Sequence, residues 1–96
     1  MISREDFAFT IGYDGLHAVV DGKAKRQYGS LSTMELAEKG LYRAAFSSAL
    51  HSGDEAEMRA FIGYFNGKAG TAYKTADELK RLFGVNHEEV KKVLVL

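Results

Sequence analysis

Large apolar side chains fall on every second residue from Phe7 through Phe9 and Ile11 to Tyr13, with the smaller Ala8, Thr10 and Gly12 between them. A period of two puts one set of side chains on one face of an extended chain, so residues 7–13 read as a strand. Residues 16–21, Leu-His-Ala-Val-Val-Asp, supply a second β-rich run. Asp14-Gly15 between the two runs is a hairpin signal, because a two-residue type I′ turn needs positive φ at both central positions. Asp21-Gly22 repeats that chemistry and is expected to send residues 23–28 back as a third strand, although Lys23, Lys25 and Arg26 make the run polar. A three-stranded meander would be more stable than a lone hairpin.

From residue 32 the period changes to three and four. Ser32-Thr33-Met34-Glu35 has the spacing of a capping box, in which the hydroxyl accepts from an orphan amide and the glutamate reaches back. Behind it Met34, Ala37, Leu41, Tyr42, Ala45, Phe46 and Ala49 make one apolar helical stripe, leaving Glu35, Lys39 and Arg43 outside. His51-Ser52-Gly53 interrupts the stripe. Ser52 or Asp54 can cap a second helix whose Asp54, Glu55 and Glu57 sit at the positive end of its dipole. Met58, Phe61, Ile62 and Phe65 form its inner face, and Asn66-Gly67 is expected to end it. Residues 68–74 read as a linker anchored by Tyr73.

Thr75-Ala76-Asp77-Glu78 is a second capping box, opening a helix that buries Leu79, Leu82 and Phe83 and stops at Gly84. Asn86 can cap a last helix burying Val90, Val93 and Leu94, whereas the ending Val93-Leu94-Val95-Leu96 is β-rich enough that residues 91–96 read equally as a strand. The expected fold is α+β in one domain over residues 1–96: an N-terminal antiparallel hairpin or three-stranded meander, then about four α-helices covering one face, the last two helix-turn-helix-like. Its core would draw on Phe7, Phe9, Ile11, Val19, Leu41, Phe46, Met58, Phe61, Ile62, Leu79, Leu82 and Val90.

Composition narrows the function classes. With 46% hydrophobic and 27% charged residues the chain matches folded globular usage rather than disordered or fibrous classes. No Cys means no disulfide framework, no thiolate zinc site and no cysteine nucleophile. The three His are scattered without paired metal-ligand spacing, and no nucleophile-base-oxyanion constellation is visible, so neither a metal, a cofactor nor enzymatic activity is expected. No apolar run approaches the ~20 residues that span a bilayer, and the first residues lack a signal-peptide core, so a cytoplasmic protein without membrane contact is expected. Thirteen basic residues balance thirteen acidic ones, which counts against affinity built on phosphate neutralisation.

Two segments carry candidate chemistry. Lys23, Lys25 and Arg26 beside Tyr28 form the densest basic cluster; such a cluster can hold a nucleic-acid backbone, and more commonly keeps an edge strand soluble. Gly67-Lys68-Ala69-Gly70-Thr71 resembles part of a phosphate loop but lacks its full spacing and follows a helix, so a helix cap explains it better.

Residues 75–94 resemble the helix-turn-helix families of DNA-binding proteins, through Leu79 in a first helix, Gly84-Val85 at the turn and Val90 in a second helix. The resemblance implies that Asn86, His87, Glu88, Lys91 and Lys92 would lie toward a major groove. It departs from the families' pattern at Lys80, where a small residue is usual. The leading expectation is a small non-enzymatic binding or regulatory module that contacts a protein partner through its C-terminal helix pair. The alternatives are a helix-turn-helix DNA-binding regulator, expected to be a homo-oligomer, and a small-ligand binder or enzyme using Tyr28, His17 and Lys25.

Overall fold

The computed structural model describes residues 2–85 and 90–96. Its elements run α1 (Arg4–Ala8), β1 (Thr10–Asp14), β2 (His17–Val20), α2 (Gly22–Tyr28), α3 (Thr33–Glu38), α4 (Tyr42–Ser52), α5 (Glu55–Ala69), α6 (Ala76–Phe83) and β3 (Lys92–Val95). The architecture is α+β, with two strands near the N-terminus, helices following, and a three-stranded sheet in the order β1-β2-β3.

The hairpin forms where Asp14-Gly15 predicts it. Asp14 pairs with His17, so the two loop residues are Gly15 and Leu16. Only Gly15 has positive φ, at 62°, so the turn is not type I′, which would need Leu16 there as well. The strand does not reach back to Phe7. Residues 4–8 are helical because Ser3 caps them, accepting from the Asp6 amide at 3.2 Å, and Glu5 and Asp6 sit at the positive end of the dipole. The alternation of Phe7 and Phe9 gave no discrimination, since Phe7, Ala8 and Phe9 are all buried.

Residues 23–28 form a helix, not the third strand of a meander. Asp21 accepts from the Ala24 amide at 3.1 Å, capping α2, and Lys25 and Arg26 in its last turn complement the negative end. The polar run is made of good helix formers, and Asp-Gly serves a cap as readily as a turn. The third strand is instead β3, which pairs parallel to β2 with His17 opposite Lys92, Ala18 opposite Val93, Val19 opposite Leu94 and Val20 opposite Val95. The strand alternative for residues 91–96 is therefore the one realised, and the helix expected to bury Val93 and Leu94 is not formed there. Parallel strands need a crossover, and here everything from α2 to α6 supplies it.

Both capping boxes are present. Ser32 Oγ accepts from Glu35 N at 3.2 Å while Glu35 Oε1 accepts from Ser32 N at 3.0 Å; Thr75 and Glu78 do the same ahead of α6. The first helical stripe is broken at Gly40, whose φ of 80° ends α3. The Leu41 amide bonds the Leu36 carbonyl at 3.0 Å and the Gly40 amide bonds that of Ala37 at 2.9 Å, a Schellman closure. Helix α5 runs past Asn66-Gly67 to Gly70. Asn66 instead ties down the connector, its side chain donating to the Tyr73 carbonyl and accepting from the Tyr73 amide.

The core gathers Phe7, Val20, Leu36, Phe46, Phe61 and Leu79, with Phe65 and Phe83 extending it as packed rings: Phe46 lies 5.5 Å from Phe83, and Phe65 5.3 Å from Phe83. Ile11 and Leu82, expected inside, are 57% and 48% exposed. Ile11 is the extra residue of a bulge between the Thr10–Val20 and Gly12–Val19 pairs, and Leu82 lies on the outer side of α6. Val19 and Val90 are only half-buried.

Candidate interaction surface at the sheet edge

Strand β3 pairs with β2, the hairpin's inner strand, so among the described residues it has a strand neighbour on one side only. At its start the Lys91 amide donates to the Leu16 carbonyl at 2.9 Å, and at its end the Leu96 amide donates to the Val20 carbonyl at 2.9 Å. Alternation divides the sheet. Ala18 and Val20 are fully buried against the helices, whereas His17 and Val19 point the other way and are half-buried. Paired residues share a face, so Leu94 stands beside Val19 and Lys92 beside His17 on the open side. Leu94, Val95 and Leu96 are 38%, 52% and 74% exposed. An edge strand with unpaired backbone groups and apolar side chains is a template for another extended chain.

The described residues among those singled out from sequence lie at two different elements. Lys91 and Lys92 are exposed at the start of β3, and Lys23 and Arg26 are exposed on α2, near the strand's other end. That proximity is fixed by Gly22, where a Cβ would lie 2.3 Å from the Leu96 carbonyl oxygen. The two basic groups are thus separated by the length of the strand, on the order of 10 Å. Lys25 is turned inward, its Nζ 2.6 Å from Asp6 Oδ1, where it joins α2 to α1. Asn86 and His87, with Glu88, lie outside the described residues.

Lys25 and Tyr28 share α2, whereas His17 lies on β2. His17 is on the open sheet face, Tyr28 packs against the core from α2, and none of the three lines the cleft beside Arg43. His51 Nε2 donates to the Ile2 carbonyl at 3.0 Å, with its ring 6.0 Å from that of Phe7, which fastens the N-terminal segment to α4. Gly67, Lys68 and Ala69 form the last turn of α5, with Gly70 as its left-handed cap. Among the described residues no group of three His, Asp or Glu could hold a metal ion, and no helix is long and apolar enough to cross a membrane.

Sequence reasoning missed Arg43, read as an outer-face residue. Its Nε donates to the Phe83 carbonyl at 2.9 Å and an Nη donates to the Thr10 carbonyl, so one side chain joins α4, the end of α6 and the start of β1. Burial pulls its pKa below the ordinary arginine value, while the nearby Tyr13 acts in the opposite direction. The available signal was positional: a cation in the first turn of a helix opposes the macrodipole and needs a tertiary partner. Arg43 borders a cleft of about 310 Å3.

No protein-family model, curated protein or solved structure matches this chain.

Proposed function

We propose that the chain is a small non-enzymatic binding module that contacts a protein partner through its C-terminal segment, an extended stretch of the partner adding to β3. The observation carrying this reading is the one-sided pairing of β3 together with the exposure of Leu94, Val95 and Leu96. Main-chain bonds would supply affinity in such strand addition, and alternate side chains would supply selectivity. A helix pair at this end was the expectation from sequence; the strand moves the contact from a helix face to a sheet edge.

The test is partner capture by the wild type and by Leu94→Lys, a change on the open face that leaves the packed side intact, combined with hydrogen exchange of the complex. Loss of capture by the variant, with new protection of amides 92–95 in the wild-type complex, is the expected result. Equal capture by both rejects the assignment.

A nucleic-acid partner is the competing reading, favoured by the exposed Lys91, Lys92, Lys23 and Arg26 and opposed by the zero net charge. It requires a salt-dependent gel shift weakened by Lys91→Ala and Lys92→Ala; no shift at low salt removes it.

A further inference from the structure

Away from β3, the cleft beside Arg43 carries a ligand inference of its own. It opens between the end of α1, the bulged start of β1, α2 and the corner joining α3 to α4, and its volume of about 310 Å3 is at the small end of the ~300–1,000 Å3 that ligand sites occupy. Phe9, Leu41 and Tyr42 contribute apolar wall, and Ala24 closes it on the α2 side. The bulge that pairs Thr10 with Val20 and Gly12 with Val19 leaves Ile11 exposed at the lip, so apolar surface continues to the mouth.

Among the described residues that line the cleft, Arg43 is the one cation. Arg43 is half-buried, and its two described hydrogen bonds go to backbone carbonyls, which satisfy donors without supplying a full negative charge. Among the described residues no carboxylate forms an ion pair with it. A guanidinium has five N–H donors in a fork suited to a carboxylate, so donor capacity remains after those two bonds. Asp21 also lines the cleft; its Oδ1 accepts from the Ala24 amide as the cap of α2, and its formal negative charge remains on the α2 wall, so an anion has to be held at the Arg43 side.

The geometry points to a binding site for a small organic acid: one carboxylate on the Arg43 guanidinium, and an apolar body, aromatic or branched aliphatic, against Phe9, Leu41 and Tyr42. With Asp21 on the opposite side of the lining, one guanidinium holds at most one further negative charge. A phosphate monoester, more highly charged and with more oxygens to satisfy, would find too few donors among these apolar walls.

Phenylacetate is the probe, titrated into the isotope-labelled chain while amide shifts are followed. Saturable shifts at Phe9, Ile11 and residues 41–44 are expected, with a Kd of about a millimolar or tighter. Arg43→Gln is expected to weaken binding by about tenfold or more. Ala24→Leu, which narrows the cleft from α2 and leaves Arg43 unsubstituted, is expected to weaken binding or abolish saturation. Because Arg43 also joins α4 to α6 and β1, Ala24→Leu decides alone where Arg43→Gln does not fold. Phenethylamine, the same ring with the opposite charge, is expected to leave these amides unmoved. Phenethylamine binding as tight as phenylacetate, phenylacetate binding undiminished in Ala24→Leu, or no saturable shift overturns the site.

Discussion

Arg4 shows how a single side chain organises the N-terminal half: its Nε donates to Ser48 Oγ at 2.8 Å, and its two Nη atoms donate to the carbonyls of Gly29 and Leu31. Ser48 Oγ in turn shares a 2.7 Å bond with Thr33 Oγ1. Replacing Arg4 with Met keeps much of the stem's packing and orphans these acceptors, so chemical denaturation is expected to report a loss on the order of 3 kcal/mol; a loss under about 0.5 kcal/mol, ordinary for a surface site, would contradict the arrangement. Gly22 is a second such position. A Cβ there would also meet Val95 Cγ1 at 2.9 Å, so Gly22→Ala is expected to cost about 1–3 kcal/mol by crowding the end of β3. That loss would come despite the helix propensity that alanine gains. At Gly12, where nothing lies within 4 Å of an added Cβ, alanine should be close to neutral, and equal effects at the two glycines would argue against the docking of β3. The two capping glutamates carry a pH signature. Hydrogen bonds from the backbone and hydroxyl of Ser32 hold Glu35 below the ordinary glutamate value of 4.5, and those from Lys74 and Thr75 do the same for Glu78. With the folded value below the unfolded one, their stabilisation is complete above about pH 4.5 and fades as the pH falls through the folded values. Glu35→Gln with Glu78→Gln should flatten the stability profile below pH 4.5 and leave its slope near neutrality unchanged.

Helix starts were legible where a few adjacent residues decide them. Ser32 with Glu35, Thr75 with Glu78, and Asp54 ahead of α5 all cap as their spacing predicts, because both partners of each bond lie within one turn. The hairpin at Asp14-Gly15 was legible for the same reason. Where one local cue serves two structures, the reading failed. Asp21-Gly22 can turn a hairpin or cap a helix, and the apolar stripe continues past Gly40 although the backbone does not. For strand β3 the local cues left helix and strand equally open, since a short apolar run fits either and its partner β2 lies across the whole crossover. At the candidate surface, Lys91 and Lys92 were recognisable as exposed, but Leu94 and Val95 were not separable into open and packed positions without the register. That register makes its own prediction for β3. Val93 is half-buried and packed on the core while Leu94 faces outward, so Val93→Lys should cost about 2 kcal/mol in urea denaturation and Leu94→Lys less than about 0.5 kcal/mol. Reversed values would mean that the strand is one residue out of register.

Taken together, the molecule is a helical body with a three-stranded sheet whose last strand is held by backbone pairing to β2 and by close approach to α2. The proposed protein contact draws on the molecule's net charge of zero and its exposed apolar strand end. Both proposed contacts, the edge of β3 and the cleft beside Arg43, depend on elements distant in sequence coming together, so global unfolding would abolish both at once. They are nevertheless separable: a change at Leu94 should leave phenylacetate binding intact, and Ala24→Leu should leave partner capture intact. The proposed interaction surface rests most directly on the conformation of the last residues, which nuclear Overhauser spectroscopy of the labelled chain reads without a partner or a mutation. Cross-strand contacts of Ala18 with Val93 and of Val19 with Leu94 are the result required by the parallel pairing. Sequential helical contacts from Val90 through Leu94, with none to β2, would contradict it and return the C-terminal segment to a helix pair.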